Sequence, residues 1–348
     1  MKSFSPVEIL KRYATLKNHR IYTMPIVILM PHSRCNCRCV MCDIWKGNNN
    51  VQQLNESDIE KLLSSLKRLN TGLVVMSGGE ALMHPNFFRL CDILRSRKIK
   101  ITILSTGLLL KKYSKEIIAK TNEVIVSLDG SQEVHDKIRN IPEAFNKLKD
   151  GVAELKNLNK EYRVTARCVV QKANFKDFPN IIDAANKIGL DQISFLTADV
   201  STDAFNRSDL WDDDKVKEVC LSRDEVDQFK DIIEKLINTH SKDFKSGFVA
   251  ESPNKLRRFY NYYAAFHGLC DFPNVNCNAP WVSAVIEADG NVRPCFFHKK
   301  IGNIGDSALT ELINSPASIS FRKNLDTTTN PICKKCVCSL NLSPLAKL

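Results

Sequence analysis

The stretch Arg34-Cys35-Asn36-Cys37-Arg38-Cys39-Val40-Met41-Cys42-Asp43 constrains this chain more than any other. Four of the thirteen cysteines fall within eight residues. An even spread would place about 0.3 there, so the crowding has a chemical cause. Soft thiolates at close spacing suit zinc or an iron–sulfur cluster. A zinc hook pairs one Cys-x2-Cys with a second at a distance. Here three cysteines stand as Cys35-x3-Cys39-x2-Cys42, and no fourth follows for dozens of residues. Three thiolates on a four-iron cluster leave one iron open to a small chelating molecule. Cys37 is read as a thiol outside the ligand set.

The chain of 348 residues has room for one large domain and a small one. Positions 1–20 are polar and lack a signal-peptide core, and the apolar run 21–31 is too short to span a bilayer. A cytoplasmic location is the expectation. In that reducing medium the cysteines read as metal ligands rather than disulfides. The net charge of +11 is spread along the chain, as a solvated basic surface would be. It also suits an acidic substrate, or an acidic electron donor such as flavodoxin or ferredoxin. No stripe of basic and aromatic residues supports nucleic acid.

Periodicity predicts a helix over 6–17 and a buried strand over 26–30, with the cysteine loop directly after it. Asn55-Glu56-Ser57-Asp58 opens a helix to about 69. Strands are expected at 73–76, 101–104, 124–128, 164–170 and 192–196, with helices between them at 85–96, 112–120, 133–138, 143–157 and 177–188. Six strands alternating with helices require parallel pairing through right-handed crossovers. Periodicity alone does not choose between a doubly wound sheet and a barrel. Positions 199–221 break the pattern and read as an insertion or lid. Helices follow at 223–240 and 255–266. The aromatic stripe Phe259, Tyr260, Tyr262, Tyr263 and Phe266 on the second reads as core. Cys91, Cys168 and Cys220 stand alone and read as small hydrophobes or carry no role.

Three motifs end successive strands: Ser77-Gly78-Gly79-Glu80, Ser105-Thr106-Gly107 and Ser127-Leu128-Asp129-Gly130, the last followed by Arg139. Glycines let backbone approach a ligand closely, and a carboxylate can take an ammonium group. With the cysteine loop, these residues resemble the radical S-adenosylmethionine (radical SAM) superfamily. Met41 stands where that family often has an aromatic residue. The resemblance implies a partial (β/α)6 TIM-like barrel with its chemistry at the C-terminal strand ends. It implies that Cys35, Cys39 and Cys42 bind a [4Fe-4S] cluster whose open iron holds SAM. It further implies that Gly78, Gly79 and Glu80 hold the SAM amino group, and that Ser127 and Arg139 meet its carboxylate. Ser105 could meet ribose or carboxylate oxygens.

The tail beyond 268 holds Cys270, Cys277, Cys295, Cys333, Cys336 and Cys338. A hairpin turns at Asp289-Gly290-Asn291 between Cys277 and Cys295, and Cys333-x2-Cys336 forms a second knuckle. Four thiolates fit zinc or iron–sulfur equally well. The hairpin, the Gly302-Asn303-Ile304-Gly305 turn and the short helix after it resemble the twitch or SPASM domain behind some radical SAM barrels. By that resemblance Cys277, Cys295, Cys333 and Cys336 bind an auxiliary [4Fe-4S] cluster. The chain ends ten residues after Cys338, so a second auxiliary cluster is not expected. The organisation expected is an N-terminal helical extension (1–24), the barrel (25–200), an insertion with linking helices (201–267) and the auxiliary domain (268–348).

The expected enzyme cleaves SAM to a 5′-deoxyadenosyl radical that abstracts a substrate hydrogen. A fully ligated auxiliary cluster suits electron transfer. That favours oxidation of a small-molecule alcohol, sugar-like or aminocyclitol-like, by a base whose identity the sequence does not give. Maturation of a ribosomally made peptide, by cross-linking or epimerisation, is the alternative, against which only about 24 residues precede the first strand. Carbon-skeleton or decarboxylating chemistry is a third enzymatic option. The non-enzymatic option is a zinc-stabilised nucleic-acid binder.

Overall fold

The computed structural model describes residues 6–207 and 209–346. The first five positions of the expected extension, position 208 of the insertion and the last two of the tail lie outside the described residues. Six strands alternate with helices: β1 (Ile26–Leu29), β2 (Leu73–Met76), β3 (Lys100–Ser105), β4 (Glu123–Ser127), β5 (Arg163–Val170) and β6 (Gln192–Thr197). Each pairs in parallel with the next, and the order runs from β1 to β6 without reversal. A doubly wound sheet reverses at a switch point, whereas an unreversed run is barrel topology. The fold is therefore a partial (β/α)6 barrel, as expected.

The strands form because short apolar, β-branched runs fit a sheet covered by helices. β5 shows how one strand serves two layers. Val164, Ala166, Cys168 and Val170 are buried in the main apolar core, while Arg167 and Val169 turn to an interior cavity. Helix starts carry their own signals. Asn55 and Asp58 form a reciprocal cap on Glu56–Arg68, and Ser222 and Glu225 do the same on Arg223–Thr239.

The cysteine-rich tail does more than follow the barrel. Its hairpin strand β7 (Ser283–Ile286) pairs in parallel with β1, from Ile26 opposite Ser283 to Leu29 opposite Ile286. β8 (Asn291–Arg293) and β9 (Gly302–Asn303) add antiparallel, so one sheet of nine strands runs through barrel and tail. β1 thus loses its open edge, and the buried β7 continues the barrel core. The N-terminal segment is tied to the tail as well. The buried Arg322 donates to the carbonyls of His19 and Ile313, both at 2.7 Å. The Asn314 side chain clamps the backbone of Ile21 at 2.7 and 3.0 Å.

The aromatic stripe on Pro253–Phe266 belongs mostly to the core. Phe259, Tyr262 and Tyr263 are buried. The Tyr263 hydroxyl donates to the Val170 carbonyl at 2.5 Å, and that of Tyr262 to Ala198 at 3.0 Å. These bonds fasten the helix to the ends of β5 and β6. Among the described residues, no helix is long and apolar enough to cross a membrane.

Candidate active site

The loops after the strands close around a cavity of about 260 Å³. Cys35, Cys39 and Cys42 line it, together with Gly78, Gly79, Ser105, Ser127 and Arg139. Residues from the cysteine loop and from β2, β3, β4 and the helix Gln132–Arg139 therefore meet at one place, at the C-terminal ends of the strands.

Local interactions hold the cysteine loop in position. Backbone N–H groups of Arg38 and Val40 donate to the carbonyls of Arg139 and Ile138, at 3.0 and 3.2 Å. The Asn48 side chain bonds both the N–H and the C=O of Cys35, each at 2.9 Å. Gly78 has φ +110°, and both glycines pass under the loop. A Cβ on Gly79 would lie 2.1 Å from the Arg34 carbonyl oxygen, so no other residue fits without moving the loop.

The thiols influence one another directly. Cys37 is buried and hydrogen-bonds toward Cys35 and Cys39, which raises its own pKa strongly. The same bond from Cys37 lowers Cys39 to about 7 against the effect of burial, with Arg139 assisting. Arg139 Nη1 donates to Cys39 Sγ at 3.5 Å. Burial and the neighbouring Cys39 push Cys42 up to about 12. A loop offering three soft sulfurs, one already biased to thiolate beside a guanidinium, fits an iron–sulfur cluster. Among the described residues, no three His, Cys, Asp or Glu side chains converge as a single metal ion would require.

Two expected SAM contacts take a form that the sequence does not reveal. Glu80 is fully buried behind the cavity wall. It accepts from the Thr106 N–H (2.6 Å) and hydroxyl (2.7 Å), the Ser105 hydroxyl (3.1 Å) and the Leu82 N–H (3.2 Å). Burial raises its pKa against these bonds. Its carboxylate locks the ends of β2 and β3 together beneath Gly78 and Gly79. Arg139 is ion-paired with the buried Asp129, whose Oδ1 also accepts the Val169 N–H at 2.9 Å. His135 Nδ1 in turn accepts the Asp129 N–H at 3.1 Å. Burial, aided by Arg139, lowers His135 to about 3, so it is neutral.

The insertion covers one side. Arg207 is buried, pairs with Asp199 at 2.6 Å and lies 3.9 Å from the Trp211 ring centroid. Trp211 Nε1 donates to Asp43 Oδ2 at 2.8 Å, which fastens the insertion to the cysteine loop. Phe205, at φ 60°, stands against Phe296 and Phe297 of the tail at ring distances of 6.5 and 6.1 Å. A second, polar trough of about 560 Å³ lies beyond them, lined by Asn50, Gln52, Asn206 and Asn291 among others. Met30, Ile44, Gly79, Phe205 and Phe296 line both spaces.

The tail cysteines gather in a separate group. Burial raises Cys295 to about 11 and Cys333 to about 12, each pushed further by Cys277. Cys336 is raised by burial and then by Cys338, Cys277 and Cys295. Backbone N–H groups of Phe297 and His298 point at Cys295, and His298 Nε2 lies 3.3 Å from Cys333 Sγ. Several thiols that feel one another's charge, one of them met by two backbone N–H groups, suit an iron–sulfur centre. Cys338 belongs to the group and also lines the main cavity, which its sequence position did not reveal. Cys270 is exposed and bonds to the Asn261 carbonyl, apart from the others. His84 serves structure, bonding the Leu54 carbonyl and the Asn86 N–H.

Comparison with known proteins agrees with this architecture. The radical SAM superfamily pattern matches residues 29–185, and that of an iron–sulfur cluster-binding domain, SPASM, matches 277–337. The chain is 25% identical over 292 residues to the antilisterial bacteriocin subtilosin biosynthesis protein AlbA of Bacillus subtilis, covering 81% of this chain and 58% of AlbA. It is 25% identical over 341 residues to a cysteine-type anaerobic sulfatase-maturating enzyme of Clostridium novyi, covering 90% and 85%. The chain thus spans little more than half of the first relative's length. In fold it resembles Streptococcus suis SuiB, solved with the precursor peptide SuiA, with a TM-score of 0.63 and 16% identity over 97% of this chain and 78% of that one.

Proposed function

Because the chain is a radical SAM enzyme with a C-terminal SPASM domain, we propose that its substrate is a peptide, on which it makes a cross-link or inverts a stereocentre. Its cofactors are SAM, the [4Fe-4S] cluster that binds it and auxiliary iron–sulfur, and when bound they supply a 5′-deoxyadenosyl radical and an electron route. In this reading Cys35, Cys39 and Cys42 hold the first cluster, and Cys277, Cys295, Cys333 and Cys336 the auxiliary one. The backbone of Gly78 and Gly79 and the hydroxyl of Ser105 orient SAM, and Ser127 and Arg139 meet its carboxylate. Glu80 acts by holding Ser105 and Thr106 in place. The apolar cavity wall keeps water from the reacting carbon.

The confluence of the two cavities carries the proposal. The trough lined by carboxamide side chains suits an extended backbone, which needs donors and acceptors along its length. A side chain reaching past Phe205 and Phe296 would enter the apolar cavity beside the cysteine loop. The relatives support the same reading, since AlbA and the sulfatase-maturating enzyme are named for work on peptide or protein. Alcohol oxidation, the reading favoured by the sequence alone, needs a base at the cavity wall. The lining carboxylate there, Asp199, is committed to Arg207.

The test is co-expression with any short peptide encoded beside this gene, followed by mass spectrometry. One peptide should lose about 2 Da on cross-linking, or gain one deuteron from deuterated solvent on epimerisation. Unchanged peptides, with a small alcohol oxidised at the same SAM turnover, would contradict the proposal.

A further inference from the structure

The cavity wall is mostly apolar, with Val169, Leu196, Phe297 and Val337 among its lining residues. Three charged side chains among the described residues line it. Arg139 is ion-paired with Asp129, and Asp199 with Arg207. The third, Arg167, has no ion-pair partner among the described residues, and its buried Nε has no hydrogen-bond partner among them. It stands in the middle of β5, in register with Ser127 of β4 and Ser194 of β6. Glu251 is near enough to feel its charge, but Glu251 is bound to Lys255 at 3.2 Å and to the Phe195 N–H at 2.9 Å. Arg167 lines the cavity together with Cys338, whose thiol its charge lowers against the effect of burial. A guanidinium held in an apolar wall without a counter-ion is costly unless a ligand supplies one.

We propose that Arg167 is a substrate-positioning residue that binds a carboxylate of the substrate, within the cavity read above as the place of the reaction. The planar fork matches a carboxylate bidentately, and water exclusion by the surrounding side chains strengthens the pair. The carboxylate would fix the reacting carbon between the two groups of thiols. It could be carried by an Asp or Glu of a peptide or by a free small molecule. The inference rests on the proposed function only for the first of these sources.

The experiment measures binding to the SAM-loaded, iron-replete protein under anaerobic conditions, by equilibrium dialysis. The probes are Ac-Gly-Gly-Glu-Gly-Gly-NH2 and its Gln counterpart, and glutarate with its monoamide. Each protein is scored by the ratio of its own dissociation constants, so a general loss of binding cancels. The wild type should prefer the Glu peptide by about tenfold or more. In R167Q the ratio should fall to within about twofold, and R167K should keep part of it. Preference for glutarate alone would uphold the carboxylate site and count against the peptide. A wild-type ratio near one, no binding of any probe, or an unchanged ratio in R167Q would overturn the proposal. 5′-Deoxyadenosine formation by the wild type is read in parallel. Its absence would sink the enzymatic reading while leaving the binding ratio to decide on Arg167.

Discussion

At the residue scale, the unusual side chains are those that burial forces into one protonation state. His135 is the clearest. It is fully buried, accepts the Asp129 N–H, and is held near 3 by burial with Arg139 beside it. Below about 6.5 the unfolded chain takes up a proton that the folded one refuses, so stability falls as pH falls toward 3. Between pH 7 and pH 5 the wild type should lose about 2 kcal/mol more than H135N, by urea denaturation; equal losses would mean that His135 titrates normally. The thiols give a second prediction. Total iron per chain should fall by about half in C295A. It should be unchanged in C270A, whose sulfur stands outside the group. The sequence made the cysteine triad legible because ligand spacing is a local property. It could not show that Glu80 is walled in by Ser105 and Thr106, or that Cys338 faces the cavity, because those contacts join distant segments.

At the scale of elements, the strand-and-helix alternation was readable to within a residue or two. Short β-branched runs and capped amphipathic stretches announce themselves. The pairing of β7 with β1 was not readable, since periodicity does not say which distant strand completes an edge. Nor was the anchoring of the insertion through Arg207 and Trp211 onto Asp43. Of the glycines, Gly79 leaves the least room for a Cβ, against the Arg34 carbonyl of the cysteine loop. G79A should therefore displace Arg34 and lose about half of the bound iron or more. G72A, which would meet nothing within 4 Å, should keep all of it. Equal iron in both variants would show that the turn does not support the loop.

At the scale of the whole molecule, one sheet carries both the cysteine loop and the auxiliary thiols, and one cavity lies between them. Thiols of the cysteine loop and Cys338 of the tail line that one cavity. The central claim is that Cys35, Cys39 and Cys42 together hold the centre at which SAM is cleaved. The most direct measurement is 5′-deoxyadenosine released from SAM by anaerobically purified, dithionite-reduced protein, compared with C35A, C39A and C42A. The account predicts product from the wild type and a loss of about a thousandfold or more in each variant. Wild-type protein that releases none, or any of the three variants that releases as much as the wild type, would contradict it.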